Sequence, residues 1–534
     1  MTLSLKRAAY ALWLALIVAF AILHCLHLRA DFPNHSPWYS DWAKYTDEGW
    51  YGNAAIRAHL FGNWYLPGDL NPAPALPAWP FLEWILFSFT GVSIQAARAL
   101  AVSLFFLNLA LSYLLLRPRG SRWMALLAIT LIVTSPFLYS FSRLAILEPL
   151  LTTLLLVVLN IAIRIGRMRQ PVSAAMLIGV LFTLMLLTKT TAVFLLPALA
   201  SAIAIPLWPD RRRVRQCLSA AAAASVLTFL PWMALVAHAG LWRDYRYLFF
   251  INNYPKPPGL YWPFVSLWWS FHGGLWIDRV LMPLAGLVTV ALTLCWRRPW
   301  ARQMARDPLF AASILAVAGY VLFMTLQNHP QPRYFVVVAT FSFFVLAMGT
   351  EALLRAQPGP VFPQTPPTRV NWPRLGGAAS IAACCVMALA NGIWTFEYAA
   401  HPQYTWINAA SGLTRYIDQH PNGNRMLLAI SGDDITLMTG LPSICDDFGT
   451  MKLPEKIARY NPGWWATWND IDPSTLQTLH VHYSLEQVAT FHTLDNPDRS
   501  VLVLFKLHPL AHDRKLDPAL RQPLPGDRIG IEVW

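Results

Sequence analysis

The chain has 534 residues, of which 56% are hydrophobic and only 13% charged, with a mean hydropathy of +0.40. Soluble domains carry about a quarter charged residues, so one large soluble protein is excluded. The formal net charge is +13, but its distribution argues against a nucleic-acid partner. Basic residues gather in short loops between apolar blocks, as at Arg117, Arg119 and Arg122, and at Arg211, Arg212, Arg213 and Arg215. That is the positive-inside pattern of a polytopic membrane protein.

A helix needs roughly 20 apolar residues to cross about 30 Å of hydrocarbon. About eleven blocks meet that requirement, near 8–28, 96–116, 122–141, 146–164, 172–188, 190–207, 217–238, 279–296, 308–326, 334–354 and 376–394. The first follows Lys6 and Arg7, is long for a signal-peptide core and lacks a small-x-small exit, so an uncleaved anchor helix is expected. Within it, "AILHC" sets His24 where a lipoprotein box needs a small residue. With the Arg-rich loops in the cytoplasm, the N-terminus is cytoplasmic and the C-terminus external.

Three segments do not fit the spanning template. Glu48–Trp64, Ala75–Phe89 ("ALPAWPFLEWILFSF") and Gly259–Trp276 ("GLYWPFVSLWWSFHGGLW") are short or proline-broken and rich in aromatics. Such segments suit interfacial or re-entrant helices at the external membrane face. Arg355–Arg374 reads as a Pro-rich linker. Past Gly392 the composition changes. "NRMLLAISGDDITLMTG" reads as strand, turn and helix, and "GWWATW" and "RSVLVLFKL" as strands. The expected organisation is a membrane part over 1–394, with an external loop at 29–95, and an extracytoplasmic α/β domain over 395–534.

Chemistry needs ionisable groups in unusual places. Asp47 and Glu48 sit among Trp and Tyr in "TDEGWY". They read either as solvated loop acids or as a partly desolvated pair, in which a raised pKa makes a better proton acceptor. Lys189 interrupts the apolar stretch "LLTKTTAVFLLP", either snorkelling from a hairpin turn or binding an anion at membrane depth. Arg143 and Arg333 fall on the external edge against the positive-inside bias, and a lipid phosphate would explain them. Glu148 offers Arg143 a structural salt bridge as the alternative. His35, His59, His272 and His329 are external without metal-ligand spacing. The six cysteines include no C-x-x-C, so neither a disulfide nor a cysteine metal site is expected.

Taken in order, "TDEGWY", "GVSIQAARAL", "SRLAILEPLLTTLLL", "LLTKTTAVFLLPAL" and "HPQPRYFVVVA" resemble the GT-C membrane glycosyltransferases. The branch is that of protein O-mannosyltransferases and the lipid A aminoarabinose transferase, glycosyltransferase family 39-like. The resemblance implies a polytopic α-helical GT-C fold with external interfacial helices and a small C-terminal α/β domain. It also implies transfer of a sugar from a polyprenyl-phosphate carrier to an acceptor hydroxyl of a lipid, glycan or protein outside the cytoplasmic membrane. Asp47 maps to the family's base and Glu48 to its second acid. Lys189 and Arg333 map to residues facing the carrier phosphate, and Tyr51 and Tyr334 are further substrate-binding candidates.

Two departures stand out. Gly49 and Trp50 follow the acidic pair where the aminoarabinose branch has a basic residue. "NPAPALPAW" also lacks that branch's Lys or His before Pro77. Arg57 and Arg143 join Lys189 and Arg333 as candidates for the phosphate, and aminoarabinose and lipid A are not assumed. No cofactor is expected and a divalent metal is left open. The expected partners are the lipid-linked donor, a hydroxyl acceptor and membrane lipids. Competing readings are a transporter or flippase of lipid-linked sugars, which calls for charges or broken helices at mid-membrane, and a non-catalytic membrane scaffold.

Overall fold

The computed structural model describes residues 3–252, 264, 280–326, 331–356, 371–494 and 499–510. In chain order its helices are α1 (Leu3–Cys25), α2 (Asp47–Phe61), α3 (Ala78–Thr90), α4 (Ile94–Leu116), α5 (Arg122–Thr134), α6 (Pro136–Ser142) and α7 (Leu147–Ala162). Next come α8 (Pro171–Thr188), α9 (Leu196–Leu207), α10 (Arg211–His238), α11 (Trp242–Arg246), α12 (Leu281–Leu294), α13 (Pro299–Ala305), α14 (Pro308–Leu326), α15 (Phe335–Leu354) and α16 (Trp372–Ala400). Helices α17 (Thr405–Gln419), α18 (Gly432–Thr439), α19 (Leu453–Tyr460) and α20 (Pro473–His482) belong with the sheet that follows.

Among the described residues, nine helices are long and apolar enough to cross a membrane, or ten if one bent pair counts as a span. The chain is therefore an integral, multi-pass membrane protein. The bent pair is α5 and α6, which meet at 64°. Its cause is local. Pro136 cannot donate a backbone hydrogen bond and suits the first position of a new helix, while Ser135 caps it by accepting from the Leu138 amide. The expected span at 279–296 is instead the 14-residue α12, about 21 Å long against about 30 Å of hydrocarbon. Helix α15 is apolar on every face and 94% of its best span window is buried. It is the central post of the bundle, as an all-round hydrophobic helix must be.

Two helices, α2 and α3, lie where interfacial helices are expected before the second span, and they pack against each other. Gly62 ends α2 in the left-handed conformation, φ 73°, where glycine carries no Cβ penalty. The third expected interfacial segment, Gly259–Trp276, and most of the Pro-rich linker lie outside the described residues.

After α16 the chain builds a five-stranded sheet in the order β2-β1-β3-β5-β4. The strands are β1 (Leu427–Leu428), β2 (Ser443–Ile444), β3 (Trp464–Trp468), β4 (Tyr483–His492) and β5 (Val501–Pro509). Strand β1 pairs in parallel with β2 and β3, whereas β3–β5 and β5–β4 are antiparallel. Strand β3 is buried along its whole length, so its tryptophans have no polar alternation. Helix α18 packs on α2, which brings the sheet unit and the α2–α3 layer to the same end of the bundle.

Candidate active site

The ends of several elements converge beside α2. Asp47 opens that helix, Glu148 lies in the first turn of α7, Lys189 follows the end of α8, and Arg333 and Tyr334 form the 3-10 turn leading into α15. An apolar helix interior cannot hold an unpaired charge, whereas its ends can. Packing these helices thus gathers charges that are far apart in sequence.

Arg333 is the hub. Its Nη2 lies 2.7 Å from Asp47 Oδ2 and its Nη1 lies 2.6 Å from Asp41 Oδ1. The Arg333 amide donates to Asp41 Oδ2 at 2.8 Å, and the guanidinium also reaches Gln331 Oε1 at 3.3 Å. Asp41 is itself fixed by accepting from the Ala43 amide at 2.8 Å. Lys189 Nζ pairs with Glu148 Oε1 and sits 4.2 Å from the Tyr334 ring centre. Asp47 is 1% exposed, and burial holds its carboxyl above the usual carboxylate range while Arg333 pulls it the other way. The group carries three carboxylates, Asp41, Asp47 and Glu148, against the cations Lys189 and Arg333.

Asp47, Lys189, Arg333 and Tyr334 line a cavity of about 300 Å³, whereas Asp41 and Glu148 do not. Trp42, Asp47, Tyr51, Lys189, Arg333 and Tyr334 give it polar lining, and Val193, Phe194, Phe249, Phe323 and Leu326 apolar lining. A cavity lined by cations, a carboxylate and hydrocarbon suits an amphiphile bearing an anionic head. A larger cavity, about 1290 Å³, lies between α1, α5, α15 and α16. Its lining is mostly apolar and includes neither Lys nor Arg, so it lacks the means to hold an anion.

Five of the sequence candidates meet at the small cavity: Asp47, Lys189, Arg333, Tyr51 and Tyr334. Three do not. Glu48 points away and is held by Arg98 through Nε at 2.8 Å and Nη2 at 2.5 Å, and by the Ala145 amide at 2.8 Å. It ties α2 to α4 and to the segment before α7. Arg57 is spent on Asp433 at 2.9 Å, the Ser443 carbonyl at 2.8 Å and Asp69 at 3.4 Å. It fastens α2 to the C-terminal unit. Arg143 donates to the Tyr139 hydroxyl and to the Leu26 and His27 carbonyls, and Glu148 takes Lys189 as its partner instead. The α7–α8 contact explains that exchange, because it sets the start of one helix beside the end of the other.

Sequence reasoning missed Asp41, the Glu148–Lys189 pairing, and the acids Asp433 and Asp434. The one signal for Asp41 is an acidic residue in the aromatic run "WYSDWAKY". "SGDD" reads as a turn in the sequence, but Gly432–Asp434 open helix α18, which packs on α2. Among the described residues, no group of three or more His, Cys, Asp or Glu is arranged to hold a metal ion. His272 and His329 lie outside those residues.

Residues 72–235 match the family described as dolichyl-phosphate-mannose-protein mannosyltransferase. That match includes Lys189 but neither Asp47 nor Arg333. The fold is similar to that of ArnT from Cupriavidus metallidurans bound to undecaprenyl phosphate, with a TM-score of 0.59 and 14% identity over 92% of this chain and 98% of that one. It is also similar to the archaeal oligosaccharyltransferase AglB from Archaeoglobus fulgidus in complex with an inhibitory peptide and a dolichol-phosphate. There the TM-score is 0.50 and the identity 12%, over 95% of this chain and 75% of that one. No curated protein matches the chain in sequence. The family match covers under a third of the chain, and the solved structures share its fold, so the chain is similar in fold to these membrane glycosyltransferases.

Proposed function

We propose that the protein transfers a sugar from a polyprenyl-phosphate carrier to an acceptor hydroxyl at the external face of the cytoplasmic membrane. In this reading the N-terminus is cytoplasmic, residues 1–394 form the catalytic membrane domain and residues 395–534 the external domain. The observation that carries it is that Asp47, Lys189 and Arg333 line one cavity together with apolar side chains. The carrier phosphate sits at the two cations, and its isoprenoid chain leaves past Phe194 and Phe323.

The acceptor oxygen attacks the anomeric carbon as the bond from that carbon to the phosphate oxygen breaks. The bonding pair leaves on the phosphate, and the acceptor proton passes to the Asp47 carboxylate. Attack opposite the leaving group inverts the anomeric configuration. Asp41 holds Arg333 through a side-chain and a backbone contact. The Arg333 Nη2, paired with Asp47, is then the group that turns to the incoming phosphate. Cations fixed in a water-poor pocket stabilise the departing charge far better than water does, and alignment of donor and acceptor supplies the rest.

The test uses the protein in lipid nanodiscs with a panel of polyprenyl-phosphate sugars, following release of polyprenyl phosphate. Asp47→Asn keeps shape and removes the base, so turnover should fall by about 10²–10⁴, with the donor still bound. Near-normal turnover in Asp47→Asn would remove Asp47 as the base. No release from any carrier, with candidate acceptors present, would favour transport or scaffolding.

A further inference from the structure

The first turn of any helix leaves amides without intrahelical acceptors, and a side chain usually supplies one at the second or third position. Helix α2, which begins at Asp47, receives none from its own flank. Thr46 makes no side-chain cap; its hydroxyl lies 2.9 Å from the Trp42 carbonyl and 3.0 Å from Asp47 Oδ1, donating to one or the other. The acceptor comes from far along the chain. Asp434 Oδ1, in the first turn of α18, accepts from the Gly49 amide at 2.5 Å, across 385 residues of sequence.

Gly49 is what allows that approach. A Cβ there would lie 2.1 Å from the Asp433 carbonyl carbon and 2.3 Å from the Asp434 nitrogen. Both are backbone atoms, which cannot swing aside. The contact is braced on either side: Asn53 Nδ2 donates to Asp433 Oδ2 at 2.5 Å, and the Trp50 indole donates to the Ile430 carbonyl at 3.2 Å. Asp434 is 2% exposed. The C-terminal unit also reaches the cavity itself, where Phe448 forms part of the lining and meets Trp50 edge to face at 5.0 Å.

We propose that Asp434 is a positioning residue of the transfer reaction: it caps α2 from the C-terminal unit and thereby fixes Asp47 at the start of that helix. The glycine after the acidic pair is then the opening through which the cap enters. This inference rests on the reading of Asp47 as the base. Asp47 touches the reacting atoms, whereas Asp434 acts only through the helix that carries it. A displacement of about 1 Å in an aligned site costs ~10²-fold in rate, so loosening one helical turn is enough to matter.

The full-length protein in nanodiscs tests this with Asp434→Ala and Asp434→Asn, whose amide oxygen accepts the same bond. Amide hydrogen exchange over residues 46–53 should accelerate in Asp434→Ala and stay protected in Asp434→Asn. Turnover in Asp434→Ala should fall at least about tenfold, with the loss in kcat and not in donor KM, since Asp41 still holds Arg333 and Glu148 still holds Lys189, and Asp434→Asn should restore it. Unchanged exchange in Asp434→Ala, equal impairment by both substitutions, or a loss that falls on the donor KM would each overturn the proposal. Acceleration that spreads to β3, β5 and α15 would mark a general fold defect and count against a local cap. If the wild type transfers from no carrier, the reading of Asp47 fails on that result, while the exchange data still decide whether Asp434 caps α2.

Discussion

Replacing Lys189 separates the structural from the functional worth of a buried charge. Its side chain is 7% exposed and that of Glu148 is 1% exposed. Glu148 Oε2 has no hydrogen-bond partner among the described residues, so Lys189 is the main compensation for that carboxylate. Lys189→Met therefore strands an ionised group in low dielectric, a loss of about 3–5 kcal/mol. Removing both charges, as Lys189→Met with Glu148→Leu, strands neither. Such replacements of a buried pair run from neutral to about 1–4 kcal/mol stabilising. The proposed contact with the carrier phosphate is lost in both proteins. A charge-assisted hydrogen bond is worth about 1.5–3 kcal/mol, which is roughly 10- to 150-fold in donor KM. Thermal melting in nanodiscs and a donor titration read the two effects apart: the single variant loses both stability and donor affinity, and the double variant loses only affinity. A double variant with wild-type melting and wild-type donor KM would leave Lys189 as a structural partner of Glu148 and nothing more.

The acid limb of turnover follows from Asp47. A base works ionised, and burial raises this carboxyl despite Arg333, so activity should fall as pH drops through a value above the usual carboxylate range. A limb at about pH 4, the ordinary Asp value, would refute the burial argument. Gly49→Ala drives a Cβ into the α18 backbone. Overpacking costs about 1–3 kcal/mol, and exchange protection of α18 should fall while that of α15 is kept; unaltered protection of α18 would show that the close approach is dispensable. Burial pushes the Asp446 carboxyl up to about 7. Its folded-state pKa thus exceeds the unfolded value, so the stabilisation is full below about pH 4 and is lost as pH rises through about 7. The C-terminal unit should melt lower at pH 8 than at pH 5, and Asp446→Asn should flatten that difference, as followed by tryptophan fluorescence.

Much of this protein was written locally. Apolar runs of bilayer length and basic loops determined the membrane class and most of the helices, and short aromatic runs marked α2 and α3, because burial of apolar surface and backbone satisfaction are decided residue by residue. The same logic singled out Asp47, Lys189 and Arg333, since a charge beside hydrocarbon needs a reason wherever it falls. Partners are another matter. Glu48 and Asp47 are neighbours in sequence, yet helical geometry turns them to different sides, one toward Arg98 and the other toward Arg333. Arg57 and Arg143 carry the same charge as Arg333 but are held by acids and carbonyls away from the cavity. Asp41, Glu148 and Asp434 acquire their roles only when helix ends from distant parts of the chain pack together. Which cation meets which carboxylate is set by Coulomb energy and desolvation over a few ångströms, and distances of that kind exist only in the folded protein.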